Sequence, residues 1–202
     1  MIKFIWNLLA LVGLALVAGL IWVIISYDFG FQNIKDFKNL QSFDSKAPEV
    51  YLDMAKELLA TGNAAEATVW KFPVEDGLGW EEVEETMRFV ANEHNIKNVG
   101  ELPLSEQVQA MTGKEQRFLK IYMFCNPLTA DMMFEYSAAF SAYLPCRISL
   151  IEDAEGKLWL YTLNMDMMIH GGTMLPPKLF VEANAVKDII LDIMKRGAAG
   201  EF

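Results

Sequence analysis

Cys125 and Cys146 are the only two cysteines in the chain, so thiol chemistry has one address. Cys125 opens the run Cys125-Asn126-Pro127 and Cys146 closes Leu144-Pro145-Cys146. Three readings fit them. On the oxidising side of a membrane they would pair, closing a loop of about 20 residues and adding on the order of 3 kcal/mol through the unfolded chain. Alternatively, Cys125 precedes a helix start, where the dipole lowers a thiol pKa and favours the thiolate of a redox or sulfur-carrying site. Both residues also suit a core as small apolar side chains. All three stay open at this level, and Cys125, Asn126, Pro127 and Cys146 are the ligand or redox candidates.

A second cluster runs from Asn164 to Met174, with four methionines and His170 within eleven residues. Thioether sulfur and imidazole match a soft cation such as Cu(I). Methionine filling gaps at the end of a strand, with Gly171-Gly172 as a turn, accounts for the same residues. Met165, Met168 and His170 are therefore outside candidates, and no metal is assigned. His94 ends a polar helix and reads as solvated. The run Glu81, Glu82, Glu84, Glu85 reads as a solvated face in the first turns of a helix, where the dipole favours negative charge. No Ser, His and acid arrangement, no Walker-type glycine loop and no CxxC pair occurs. These absences weigh against an enzyme, and no cofactor is expected.

The elements that must hold the cysteines are legible around them. Residues 118–125 alternate, and the period of two predicts a strand with Leu119, Ile121, Met123 and Cys125 on its core face. Asn126-Pro127 turns the chain into a helix from about Asp131 to Tyr143, which Leu144-Pro145 ends. A second strand puts Cys146, Ile148 and Leu150 inward and Arg147 and Ser149 outward. Asp153-Ala154-Glu155-Gly156 is a hairpin turn, and Leu158 to Leu163 is the returning strand. Upstream, Thr68 to Val74 reads as a strand. Trp80 to Glu93 reads as a helix with Val83, Met87 and Val90 inward, and Asn98 to Gly113 as a strand followed by a loop or short helix. Pro176-Pro177 opens the last helix, with Val186, Ile189, Ile190 and Ile193 buried and Gly197 after its end.

The sequence of these motifs resembles the domain-of-unknown-function 302 family of small bacterial α+β proteins over roughly residues 67–197. Cys125-Asn126-Pro127, Leu144-Pro145-Cys146, Glu152 to Lys157 and, more loosely, Val74 to Val90 carry the resemblance. It implies a compact sheet with helices packed against it, and no activity. The chain departs from the family in its apolar N-terminal segment, in a longer linker, and in having Glu93-His94-Asn95-Ile96 where the family tends to carry Gly-Phe-Gly.

At 202 residues and 53% hydrophobic content, with a net charge of −10, the chain is long enough for one well-buried domain plus an extra segment. Its acidity excludes a nucleic-acid partner, which needs a basic surface. Phe4 to Tyr27 carries no charge; as a helix of about 36 Å it would cross a hydrocarbon core of roughly 30 Å. Trp6, Trp22 and Tyr27 lie near its ends, where amphipathic rings favour the interface. The apolar run continues through Gly19 to Ser26 past Ala15-Leu16-Val17-Ala18, which loosely resembles a cleavage site, and this argues for an uncleaved anchor over a signal peptide. Lys3 and the α-amino group precede the span, while Asp28 follows it and Lys35 and Lys38 come later. That bias puts the soluble part on the periplasmic side of a bacterial inner membrane.

The expected organisation is an anchor at 1–28, a juxtamembrane linker and short helix at 29–66, and a soluble domain at 67–202. The short helix, Glu49 to Ala60, presents Val50, Met54 and Leu58 at helical spacing and is expected to pack on the domain. The fold class is α+β, an antiparallel sheet with helices packed on it behind one N-terminal transmembrane helix. The expected role is a membrane-anchored, non-catalytic binding or accessory module whose partners are the lipid bilayer, through residues 4–27, and a membrane protein complex or small ligand. The alternative is a thiol- or soft-metal-handling protein using Cys125 and Cys146.

Overall fold

A computed structural model of the chain describes residues 2–26 and 40–202. The chain divides into two units, Met1–Phe43 and Asp44–Phe202. In the first, helix α1 (Ile2–Ser26) includes a stretch, Lys3–Val23, that is long and apolar enough to cross a membrane. Tyr27, Asp28, Lys35, Lys38 and the linker over 29–39 lie outside the described residues.

The second unit runs α2 (Ala47–Thr61), a 3-10 turn (Glu66–Thr68), β1 (Val69–Pro73), α3 (Trp80–Glu93), β2 (Lys97–Leu102), α4 (Leu104–Thr112), β3 (Leu119–Cys125), α5 (Pro127–Tyr136), a second 3-10 turn (Ala138–Tyr143), β4 (Cys146–Glu152), β5 (Leu158–Leu163), α6 (Asp166–His170) and α7 (Pro177–Ala199). Its five strands form one sheet in the order β1-β5-β4-β3-β2, every pair antiparallel. The expected α+β class therefore holds.

Helices α3 and α7 pack on each other, and α7 reaches β1 and β5. Between helices and sheet, Val83, Met87 and Val90 of α3 meet Ile190, Ile193 and Met194 of α7 and Tyr122, Phe124, Ile148, Leu150 and Leu160 of the strands, all fully buried. The predicted helix over 80–93 and its inward residues are found as expected. In β3, however, the core face is the other row: Tyr122 and Phe124 are buried, while Leu119, Ile121, Met123 and Cys125 are half-buried. Both rows of this strand are apolar, so alternation reveals two faces without saying which one the helices cover.

The helix after β3 begins at Pro127, four residues earlier than expected, because Asn126 caps it. Its Oδ1 accepts from the N–H groups of Leu128 at 3.1 Å and Thr129 at 3.4 Å. Ser137 takes an extended conformation and divides the expected helix into α5 and the 3-10 turn. The last helix does not stop at Gly197. It runs to Ala199 and is capped by Gly200 at φ +66°, while Gly197 is buried against Met87, whose Cγ would lie 2.7 Å from an added Cβ. Glycine here marks close helix packing, not an end.

The acidic run on α3 is also not a uniformly solvated face. Glu84 is buried, because it accepts from Lys120 Nζ at 2.9 Å and Tyr122 Oη at 2.8 Å and pairs with Arg88. Glu101 on β2 completes the group, bonding Arg88 at 2.7 Å and Lys120 at 2.8 Å. The result is a balanced cluster of two cations and two carboxylates at the edge of the core, with burial offset by hydrogen bonds.

Candidate functional site

The sequence candidates converge where β3 ends, β4 begins and the chain leaves β5. Cys125, Asn126, Cys146, Met165 and Met168 line one narrow apolar cavity of about 20 Å³, with Thr129, Met133 and Tyr143 among its other walls. Volume on this scale holds about one water. Pro127, at the first turn of α5, stands beside it without lining it.

The two cysteines are unbonded. Phe124, not Cys125, stands opposite Cys146, so the two cysteines are not a cross-strand pair although both line the cavity. The disulfide has no support here. The expected lowering of the Cys125 pKa is also reversed, since burial pushes that thiol up. Burial, with a smaller contribution from the neighbouring Cys125, pushes Cys146 up to about 11. Desolvation of the thiolate outweighs the dipole of the short helix that follows, so both sulfurs are thiols at neutral pH.

The methionines share that cavity, but His170 does not line it. His170 is 2% exposed, and its Nδ1 lies 2.9 Å from Oδ2 of Asp44. The soft donor set of thioethers and imidazole is therefore not assembled around one space. Met165 is buried and Met168 is packed against the core, the role methionine commonly fills. His94, read as solvated, is about one third exposed and lies 2.7 Å from Asp192 Oδ2 through Nε2.

On the outer side of the same wall is a larger space. An open cleft of about 570 Å³ is lined by Tyr136, Phe140 and Tyr143 from α5 and the 3-10 turn, by Met167 and Met168 from α6, and by Gly171, Gly172 and Leu175 beyond it. Tyr143 and Met168 also line the narrow cavity, so these two side chains form the partition between cleft and thiols. Sequence reasoning missed the cleft, because its aromatic wall lies in a stretch expected to be one regular helix. Tyr136, at the end of α5, and Phe140, in the 3-10 turn, stand with ring centroids 6.1 Å apart, and Tyr136 and Tyr143 are exposed. The clustering of Tyr136, Phe140 and Tyr143 at spacings of four and three was the available signal.

Geometry of this kind suits reversible binding. The volume is that of a small-molecule pocket, and aromatic and thioether walls beside backbone polar groups around Gly171-Gly172 are the usual lining of such pockets. Tyr51 Oη donates to the Gly171 carbonyl at 2.6 Å, which ties α2 to this loop.

No curated protein matches the chain. A crystal structure described as an uncharacterized conserved DUF302 protein from Bacillus stearothermophilus shares the fold, with a TM-score of 0.53 at 17% identity, covering 64% of this chain and 97% of that one. The family described as "Domain of unknown function DUF302" matches residues 70–196, a span that holds the five-stranded sheet from Trp70 onward, both cysteine motifs and most of α7. The chain belongs to the DUF302 family.

Proposed function

We propose that this chain is a membrane-anchored, non-catalytic binding module of a bacterial inner membrane. Residues 4–27 hold it in the bilayer, and the acidic domain stands on the periplasmic side and takes a small apolar ligand into the cleft of Tyr136, Phe140, Tyr143, Met167 and Met168. The cleft itself carries the reading: about 570 Å³ of open space with three aromatic rings and two thioethers in its wall, beside Ser137, Thr173 and small residues. Thiol or soft-metal chemistry gains nothing from the site, since the thiols are out of register with each other and protonated. A membrane complex as partner remains compatible with an anchored domain of this charge.

The test uses the full chain in lipid nanodiscs and ligand-observed NMR with fluorinated aromatic and aliphatic fragments. Saturable binding by the wild type, lost on Phe140→Asp with the circular dichroism spectrum unchanged, is the expected result. Absence of saturable binding, or equal binding by the variant, would overturn the cleft as a ligand site.

A further inference from the structure

Beside α6, separate from the aromatic cleft, His170 and Asp44 form a buried pair that neither the fold nor the cleft explains. Asp44 is 5% exposed and its main-chain N–H is tied to the Gly172 carbonyl at 2.8 Å. Its Oδ1 accepts from the Lys46 N–H at 2.9 Å, and the hydrogen bonds from Lys46 and His170 hold its carboxyl below the ordinary value. An ionised carboxylate only accepts, so the proton lies on His170 Nδ1. In the neutral imidazole the ring's other nitrogen, Nε2, is then an acceptor. It is buried and, among the described residues, has no hydrogen-bond partner, a state that is uncommon and costly when left unanswered.

Nε2 faces Asp166, one helical turn earlier, whose Oδ1 lies 4.0 Å away. That is too long for a hydrogen bond and somewhat longer than the roughly 3.3–3.5 Å between two donors on one tetrahedral ion held at about 2.0–2.2 Å, a gap that rotation of the half-buried Asp166 carboxylate covers. His170 and Asp166 both line a pocket of about 170 Å³, together with Glu49 and Asp53 of α2 and Lys46 and Lys187. Asp44, which bonds Nδ1, does not line it, and Nε2 itself is covered from solvent. Three carboxylates and two ammonium groups line it, and Asp53 is paired with Lys56 at 2.8 Å. The Lys187 ammonium sits 3.0 Å from Asp166 Oδ1, which marks the spot as one that favours positive charge.

A histidine whose Nδ1–H is held by one carboxylate and whose Nε2 lies beside a second, Asp166, is the arrangement found around protein-bound transition metals. Among the described residues no three His, Cys, Asp or Glu side chains gather as a closed shell, so water would complete the coordination. We propose that His170 Nε2 and Asp166 bind one borderline divalent transition-metal ion, with Asp44 as the positioning residue that orients the imidazole and Lys187 as the internal competitor. Imidazole and carboxylate donors suit Zn²⁺ and its neighbours better than the soft Cu(I) that the methionines suggested.

Equilibrium dialysis of the full chain in detergent against Zn²⁺ alone, read by elemental analysis, tests the proposal. One ion per wild-type chain is expected, with retention lost in His170→Gln and affinity lowered by roughly 10–100-fold in Asp44→Asn, partly restored in Asp44→Glu. Because the buried variants can also lose structure, Asp166→Asn and Lys187→Met, at the half-buried pocket wall, carry independent weight. The first should weaken binding and the second should strengthen it. No ion on the wild type, binding indifferent to His170→Gln in folded protein, or weaker binding in Lys187→Met would overturn the proposal. His94→Gln, at the other histidine, is the control expected to change nothing.

Discussion

At the scale of single residues, charge is decided by what surrounds it. Glu101 shows this most sharply. Burial works against its ionisation, but hydrogen bonds from Lys120, Arg88 and Asn98 outweigh it and hold its pKa at about 2. A carboxyl lowered in the folded state contributes stability that is complete above its unfolded value near 4.5 and is lost as pH falls toward 2. The urea midpoint of the wild type should therefore fall between pH 5 and pH 2, and Glu101→Gln should flatten that slope. Glu84 belongs to the same cluster at greater depth. Glu84→Gln leaves Lys120 and Arg88 with one carboxylate between them, and a loss of about 3 kcal/mol in equilibrium unfolding is expected. The acidic run was legible as a helix start, but its division into solvated and buried members was not. Lys120 and Tyr122, which bury Glu84, come from a strand 36 and 38 residues away.

At the scale of elements, caps, turns and period carried most of the local structure. Asp153 turns the hairpin by accepting from the N–H groups of Glu155 and Lys157 at 3.0 and 2.9 Å, with Gly156 at φ +82°, as its turn signature implied. Asn126 caps α5 as its type suggests, yet the helix that follows is shorter than its pattern because a 3-10 turn takes over. The end of α7 was misread for a related reason: Gly197 and Gly200 are both plausible stops by residue type, and only the fit of α7 against Met87 separates them. Gly197→Val should clash with Met87 and destabilise the domain by about 1–3 kcal/mol in thermal or urea unfolding, the usual range for overpacking. A Met87→Ala background should recover part of that loss by making room.

At the scale of the whole molecule, the proposed arrangement is one span followed by a periplasmic domain. The N-terminal flank carries the positive charge closest to the apolar stretch, so a C-terminal alkaline phosphatase fusion should be active and a C-terminal green fluorescent protein fusion dark. The reverse pattern would place the domain in the cytoplasm. The proposed ligand cleft and the proposed metal pocket lie within residues 44–202 on either side of α6, and Tyr51 joins α2 to the loop between them.

By itself, the sequence determined the α+β class, the apolar span, the hairpin, the capped and proline-opened helices and the family. These depend on local propensity, periodicity and turn chemistry, which act over a few residues. Tertiary structure decided which row of β3 faces the helices, and that Cys125 and Cys146 stand out of register. It also decided that Glu84 is buried, that the aromatics of 136–143 wall a cleft, and that His170 turns to Asp44, 126 residues away. Each of those outcomes rests on contacts between distant segments, and two equally apolar faces or two equally plausible partners can be distinguished only when the chain has folded around them.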